Sequence, residues 1–182
     1  MIQPTDQDPS KGGDFDCIVI GAGIAGASVA AELAQKMSVV LIERESQPGY
    51  HTTGRSAALY TVVYGPPVIR ALTRASGAFF HTPQSPYLSD PLLSPRGVVF
   101  VARADQAQAM AALKSELGDA VDPLDASDVS RMVPLLRQGY GAAGLFDKTA
   151  SDIDVHALHQ HYLRAFKAAG GRLVARADVT AI

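Results

Sequence analysis

The fold is decided by residues 17–26, CIVIGAGIAG, where an apolar run leads directly into a glycine-rich turn. The uninterrupted run predicts a parallel strand buried on both faces that starts near Phe15. Good helix formers follow from Ala25 to Lys36, and a second apolar run within residues 38–43 predicts the next strand. Strand, helix and strand in this order predict an α/β chain with a Rossmann-like parallel sheet covered by helices.

The turn after the first strand has glycines at the spacing G-x-G-x-x-G, namely Gly21, Gly23 and Gly26. In this context Gly21 permits the tight turn, Gly23 lets a pyrophosphate approach the backbone, and Gly26 lets the helix pack closely on the strand. Glu43 stands at the end of the second strand, where its carboxylate can accept a hydrogen bond from a ribose 2′-hydroxyl. The motif predicts an adenine dinucleotide and leaves both NAD and FAD open; the alternative is a tight strand-to-helix connection without a ligand.

A long loop rich in glycine, threonine and serine follows the second strand, with the sequence QPGYHTTGRSAA at residues 47–58. A loop of this length exceeds what a simple connection needs. A flavin, unlike NAD, has a ribityl chain and ring system that must pass close to the backbone near the sheet edge. The loop therefore favours FAD over NAD.

Three segments, GAGIAGAS, the pair Glu43-Arg44, and PGYHTTGRSAA, resemble the D-amino-acid oxidase superfamily of flavoproteins, most closely its bacterial D-arginine dehydrogenases. The likeness extends over nearly the whole chain after the first residues. It implies an FAD-dependent oxidoreductase that oxidises the C–N bond of a D-amino or N-alkyl amino acid by hydride transfer to the flavin. It also implies an electron acceptor of unknown identity. Members of the superfamily are longer, so we expect this chain to be the N-terminal portion and inactive alone.

The resemblance also implies which residues bind FAD. The glycine turn would bind the pyrophosphate through Gly21, Gly23, Ala25 and Gly26, and the end of the second strand would bind the ribose through Glu43 and Arg44. The main chain near the last strand would contact adenine at Val179. The loop would contact the flavin through Thr52, Thr53, Gly54, Arg55, Ser56, Ala57, Ala58 and Leu59. Arg55 and Ser56 can alternatively be solvated loop residues, and Val179 a plain strand-end valine.

The chain departs from the D-arginine dehydrogenase pattern at two positions of the implied substrate pocket. Leu59 and Val98 stand where arginine-directed relatives carry a histidine and an acidic residue. A buried guanidinium without a carboxylate partner is strongly disfavoured, so we expect a less polar substrate than arginine. Tyr64 matches a loop tyrosine near the substrate, although a tyrosine that packs its ring on the domain is the alternative. No residue is a secure general base.

We expect four segments. Residues 1–13 form a flexible tail, 14–83 the first part of the FAD-binding domain, 84–146 the start of a mixed α+β substrate domain, and 147–182 the continuation of the FAD-binding domain, truncated. Two readings remain beside an enzyme: a non-catalytic nucleotide-binding remnant and, more weakly, an NAD-linked dehydrogenase domain.

Composition limits the other functions. The net charge of -2 without a basic block argues against nucleic acid as a partner. The uncharged stretch 17–31 is too short for a membrane span and follows acidic residues, which predicts a cytoplasmic protein without a transmembrane segment. The single Cys17 precludes an internal disulfide and is expected to be buried and inert. The histidines at 156, 159 and 161 do not share one helical face, so no metal is expected.

Overall fold

The computed structural model describes residues 13–88 and 90–181, so most of the predicted tail lies outside the described residues. The described strands and helices are β1 Cys17–Ile20, α1 Ile24–Leu33, β2 Val39–Ile42, β3 Leu59–Tyr60, α2 Pro67–Ala75, α3 Gly77–His81, β4 Leu93–Pro95, β5 Val98–Ala102, α4 Ala107–Leu117, β6 Asp122–Asp125, α5 Ala126–Met132, β7 Ala143–Asp147, β8 Ser151–Ile153, α6 Val155–Ala168 and β9 Arg172–Val174.

These elements form two compact units. The first contains residues 13–56, the short segment 85–88 with residue 90, and residues 155–181. The second contains residues 57–84 and 91–154. The divisions differ from the predicted ones, because 57–83 and 147–154 belong to the second unit instead of joining the glycine-rich part. That the units correspond to flavin and substrate domains stays a prediction.

The first unit is built on a parallel sheet with the strand order β1-β2-β9. Its core joins the sheet to α1 and α6 through a cluster of small and branched side chains: Ala22, Ala30, Ala31, Ala34, Val39, Leu41 and Phe166. The buried residues of α1 are all alanines, which lets this helix approach its neighbours closely. The predicted α/β class with a parallel sheet and helices is confirmed.

Strand β1 differs from the prediction in its start and its burial. It begins at Cys17, not near Phe15, and Ile18 and Ile20 are 60% and 53% exposed. Because side chains alternate along a strand, Cys17 and Val19 pack against the helix-side cluster while the isoleucines lie on the opposite face. The expectations of burial on both faces and of a buried Cys17 are therefore wrong; Cys17 is partly exposed.

The second unit contains two antiparallel sheets, ordered β3-β8-β4 and β5-β7-β6. At the end of β7, the carboxylate of Asp147 is fully buried and accepts hydrogen bonds from the Thr61 hydroxyl at 2.6 Å and from Thr149 N–H at 2.9 Å. Apolar residues between Val68 and Phe79 recur at helical spacing, and the structure has two helices there, α2 and α3, which meet at Ser76.

Candidate functional site

The glycine turn after β1 has the backbone geometry that its three glycines predict. Gly21 has a φ of +94°, a backbone conformation that favours glycine. A Cβ atom at Gly26 would overlap the carbonyl oxygen of Gly21, so α1 can approach the end of β1 only with glycine at this position. Gly23 borders open space, and a Cβ there would meet only the Thr53 hydroxyl, at 3.1 Å.

Ala22, inside this turn, is completely buried and is held on both sides by side chains. Its N–H donates to Oε2 of Glu43 at 2.8 Å. Its carbonyl oxygen lies 2.8 Å from Nε2 of His159, which must carry the proton for this hydrogen bond. The second oxygen of Glu43 accepts a hydrogen bond from Glu45 N–H at 2.9 Å. Glu43 and His159 therefore fix the path of the turn.

The N-terminus of α1 follows directly. Ile24 N–H donates to the hydroxyl of Thr53 at 2.9 Å, and no acidic residue stands in the first turn of the helix. Within the described part of the chain, no acceptor is recorded for the N–H groups of Gly23 and Ala25. Unused amides at a helix N-terminus, together with the helix dipole, favour an anion such as a phosphate.

The turn opens onto a cleft of about 380 Å³ in the first unit. Seven of the residues predicted to bind a cofactor line it: Gly21, Gly23, Glu43, Arg44, Thr52, Thr53 and Val179. Residues not singled out from the sequence complete its lining, among them Tyr50, His51 and Asp178. An adjoining cavity of about 520 Å³ shares Gly49, Tyr50 and Thr53 with the cleft and is bordered by the predicted Gly54 and Ser56.

Charged groups stand at the edge of the cleft. Nε2 of His51 lies 2.7 Å from the carboxylate of Glu45 and 3.2 Å from the guanidinium of Arg44. The hydrogen bond with His51 is the main reason that the pKa of Glu45 is lowered. The guanidinium of Arg55 lies over the ring of Tyr50, 5.3 Å from its centre, in a cation–π contact.

The remaining predicted residues lie elsewhere. Ala25 and Gly26 are in the first turn of α1. Ala57, Ala58 and Leu59 belong to the second unit, as do Tyr64 and Val98. Leu59 pairs with Asp152 in one sheet and Val98 with Asp147 in the other, while Tyr64 is 69% exposed. That these three residues line one substrate pocket stays a prediction.

Two contributions were missed by the sequence reasoning. His159 was considered only as a metal ligand, but it binds the glycine turn across 137 residues of sequence, a contact that no local spacing reveals. Thr53 was expected to contact the flavin, which stays a prediction; its hydroxyl also caps α1, which the sequence did not indicate. Sequence patterns identify a helix cap from a polar residue directly before the helix. They could not identify Thr53 as the cap of α1, because Thr53 lies 29 residues after Ile24.

The features of the cleft fit a dinucleotide: an open glycine edge, unused amides at a helix N-terminus, and a carboxylate at the end of the second strand.

None of the helices in the described part of the chain has the length and apolar composition that a membrane span requires.

Comparison with known proteins gives the family. The family described as FAD dependent oxidoreductase matches residues 16–182. Among solved structures, L-α-glycerophosphate oxidase from Mycoplasma pneumoniae, with FAD bound, is similar to this chain with a TM-score of 0.75 at 17% sequence identity. The match covers 91% of this chain and 46% of the oxidase chain. Glycine oxidase from Geobacillus kaustophilus has a TM-score of 0.72 at 18% identity, covering 89% and 46%. L-proline dehydrogenase from P. horikoshii has 0.68 at 20%, covering 88% and 43%.

The chain thus spans less than half the length of each of these structures. Each of these structures shares the fold of this chain over 88% to 91% of its residues, and the family match extends over nearly all of the described residues. The chain belongs to the family of FAD-dependent oxidoreductases, whose cofactor is FAD.

Proposed function

We propose that the cleft of the first unit binds the adenosine diphosphate half of FAD, and that the chain is part of an enzyme that oxidises the C–N bond of an amino acid. The observation that carries the proposal is that Gly23, whose N–H has no acceptor among the described residues, and the Glu43 carboxylate border the same cleft at the N-terminus of α1.

The pyrophosphate would accept hydrogen bonds from the N–H groups of Gly23 and Ala25. The positive end of the α1 dipole adds to the attraction, and no acidic side chain in the first helical turn opposes it. The absence of a side chain at Gly23 lets phosphate oxygens come within hydrogen-bond distance of the backbone.

Glu43 would bind the adenosine ribose. Its two oxygens already accept hydrogen bonds from Ala22 and Glu45, but an ionised carboxylate has about four acceptor positions, so it can also accept from ribose hydroxyls. A 2′-phosphate in place of the hydroxyl would meet like charge, which disfavours NADP. Val179, which borders the same cleft, is suited to contact the adenine.

Bound FAD would supply the redox chemistry, as the acceptor of a hydride from the substrate carbon next to the amine. This chain would contribute to substrate choice through Leu59, Tyr64 and Val98. The apolar Leu59 and Val98 favour a neutral D-amino or N-alkyl amino acid over D-arginine, because a guanidinium would lose its hydration without gaining a carboxylate. The resemblance to D-arginine dehydrogenases supports an amino acid as substrate. Leu59 and Val98 are the positions at which this chain departs from those enzymes and would therefore prefer a different side chain on the substrate.

The cofactor assignment is tested by titrating the purified chain with FAD and, separately, with NAD, following flavin fluorescence and heat release. We expect saturable binding of FAD, with release on denaturation, and no competition by NAD. Binding of NAD without binding of flavin would contradict the assignment.

The substrate assignment is tested in a complete, FAD-loaded family member that carries Leu59 and Val98, by kcat/KM across neutral D-amino acids, N-alkyl amino acids and D-arginine, with Val98→Glu as the companion variant. Neutral substrates should be preferred, and the added carboxylate should move the preference towards D-arginine. A parent protein that prefers D-arginine, or an unchanged ranking in Val98→Glu, would show that Val98 does not face the substrate side chain.

A second candidate is a flavin-binding protein without turnover, because no residue of this sequence stands out as a general base. Anaerobic addition of the same substrate panel separates the two candidates. An enzyme bleaches its flavin absorbance with at least one of the amino acids, whereas a binding protein leaves the flavin oxidised with all of them.

A further inference from the structure

His159 is a buried polar side chain to which the proposed function gives no role. It lies in α6, is 3% exposed, and its Nε2 is 2.8 Å from the carbonyl oxygen of Ala22. Hydrogen bonds between buried groups of this kind are retained because an unpaired carbonyl would be costly. The bond joins a C-terminal helix of the first unit to the glycine turn.

The Ala22 carbonyl shares its peptide plane with the N–H of Gly23. In a trans peptide the C=O and N–H bonds point in opposite directions, so a group that fixes one also fixes the other. Because His159 holds the carbonyl, the Gly23 N–H must point away from α6. Gly23 borders the cleft, and no acceptor for its N–H is recorded among the described residues.

The imidazole ring of His159 is itself held in place. Gly49 has a φ of +77°, and a Cβ there would lie 2.8 Å from Cε1 of His159 and 3.1 Å from its Nδ1. The ring therefore packs directly on the backbone of Gly49, a residue that also borders the cleft. This contact leaves the ring little room to turn its Nε2 away from Ala22.

We propose that His159 is a positioning residue for the cofactor: by donating to the Ala22 carbonyl, it directs the Gly23 N–H towards the pyrophosphate. The proposal rests on the proposed function, since it assumes that the cleft binds the diphosphate of FAD. It assigns His159 no contact with the cofactor and no part in the chemistry.

The test compares the wild-type chain with His159→Leu, which lacks the donor, and His159→Gln, whose side-chain amide keeps a donor near the position of Nε2. ADP and adenosine serve as probes beside FAD, with dissociation constants from calorimetry or NMR titration. Loss of one directed hydrogen bond to a charged group should weaken ADP and FAD binding by about tenfold in His159→Leu. Adenosine binding should stay the same, because adenosine has no phosphate, and His159→Gln should recover most of the lost affinity.

A substitution that merely disturbs the fold would weaken ADP and adenosine alike. His81→Leu, which removes an exposed histidine of the second unit, controls for the general effect of replacing histidine by leucine. In the ligand-free wild type, ¹⁵N NMR should show His159 protonated at Nε2 with a slowly exchanging proton, which tests the hydrogen bond without any ligand.

The outcomes separate the inference from the function on which it rests. Unchanged ADP affinity in His159→Leu, an equal loss for ADP and adenosine, or no recovery in His159→Gln would overturn the positioning role while FAD binding by the wild type stands. A wild-type chain that binds neither FAD nor ADP would contradict the proposed function, and the inference with it.

Discussion

Ala22 shows how the site is built at the scale of single residues. Its methyl group is buried, but its backbone is what the site uses: Glu43 accepts from the N–H and His159 holds the carbonyl. The sequence predicted Glu43 as a ribose ligand from its position at the end of a strand. It could not predict the bonds to Ala22 and Glu45, because they depend on how closely the turn approaches β2.

Replacing Glu43 by alanine should remove both the support of the glycine turn and the proposed ribose contact. We expect FAD affinity to fall by about 1.5 to 3 kcal/mol, the range for hydrogen bonds that involve a charged group. Titration calorimetry measures the change. Glu45→Ala is the matched control, since that carboxylate contacts His51 and Arg44 at the edge of the cleft. Equal effects of the two substitutions would argue against a ribose contact for Glu43.

Replacing Gly23 by valine should abolish FAD binding. The new side chain would occupy the space in which a phosphate must approach the backbone, and its Cβ would already meet the Thr53 hydroxyl at 3.1 Å. Flavin fluorescence titration gives the affinity, and circular dichroism checks that the helices remain. Gly13→Val is the control, because a Cβ there meets only the Phe15 ring, at 3.7 Å. Wild-type affinity in Gly23→Val would refute the placement of the pyrophosphate.

At the scale of elements, periodicity located the longer helices and buried strands. The predicted helix at Ala25–Lys36 is α1, Ile24–Leu33, and the amphipathic pattern of residues 156–169 coincides with α6, Val155–Ala168. The short strands β3, β4, β6 and β8 were missed, because they lack the run of four apolar residues that marks β1 and β2 and become strands only through their partners. Burial of β1 was mispredicted for the related reason that one sequence does not reveal which face of a sheet is covered.

The cap of α1 comes from a distant loop, and its removal should destabilise the fold. Thr53→Val keeps the shape of the side chain but removes the acceptor for Ile24 N–H, so the free energy of unfolding should fall by about 1 kcal/mol, as for other helix caps. Thr53→Ser keeps the hydroxyl and should lose less. Urea unfolding measures both; equal losses would mean that the hydroxyl does not act as the cap.

Helix α6 should give the fold a pH dependence through His161. This ring is 8% exposed, its Nδ1 lies 2.9 Å from the Ser85 hydroxyl, and burial lowers its pKa from 6.5 despite the opposing charge of Glu32. As pH falls, His161 takes up its proton at a higher pH in the unfolded chain than in the folded protein. The contribution of His161 to the free energy of unfolding is therefore fully present above the pKa of the unfolded chain, and it is lost as pH falls through the lower pKa of the folded protein.

The free energy of unfolding should therefore decrease between about pH 7.5 and about pH 5.5. His161→Gln should show a smaller decrease over the same range. Urea unfolding at both pH values decides the matter, and parallel behaviour of the two proteins would exclude His161 as the source.

At the scale of the whole molecule, the exposed face of β1 should govern behaviour in solution. Ile18 is 60% exposed, and among the described strands β1 has a neighbour on one side only. Exposed apolar edge strands promote association between chains, and a lysine on such a strand opposes it. Ile18→Lys should therefore reduce association of the purified chain, as seen by light scattering at rising concentration.

The control for that experiment is Val29→Lys, which changes the net charge equally at a 51% exposed position of α1, away from the sheet edge. If both variants suppress association to the same extent, charge and not the strand is responsible.

The three side chains that hold the glycine turn also bear on how fast a ligand can bind. Glu43, Thr53 and His159 hold the turn through hydrogen bonds within the protein, so the turn does not depend on contacts with a dinucleotide for its order. A preformed site avoids the entropic cost of ordering a loop and leaves association limited by encounter instead of by rearrangement. The observed rate of association should then rise linearly with ligand concentration, without the plateau that a slow conformational step imposes.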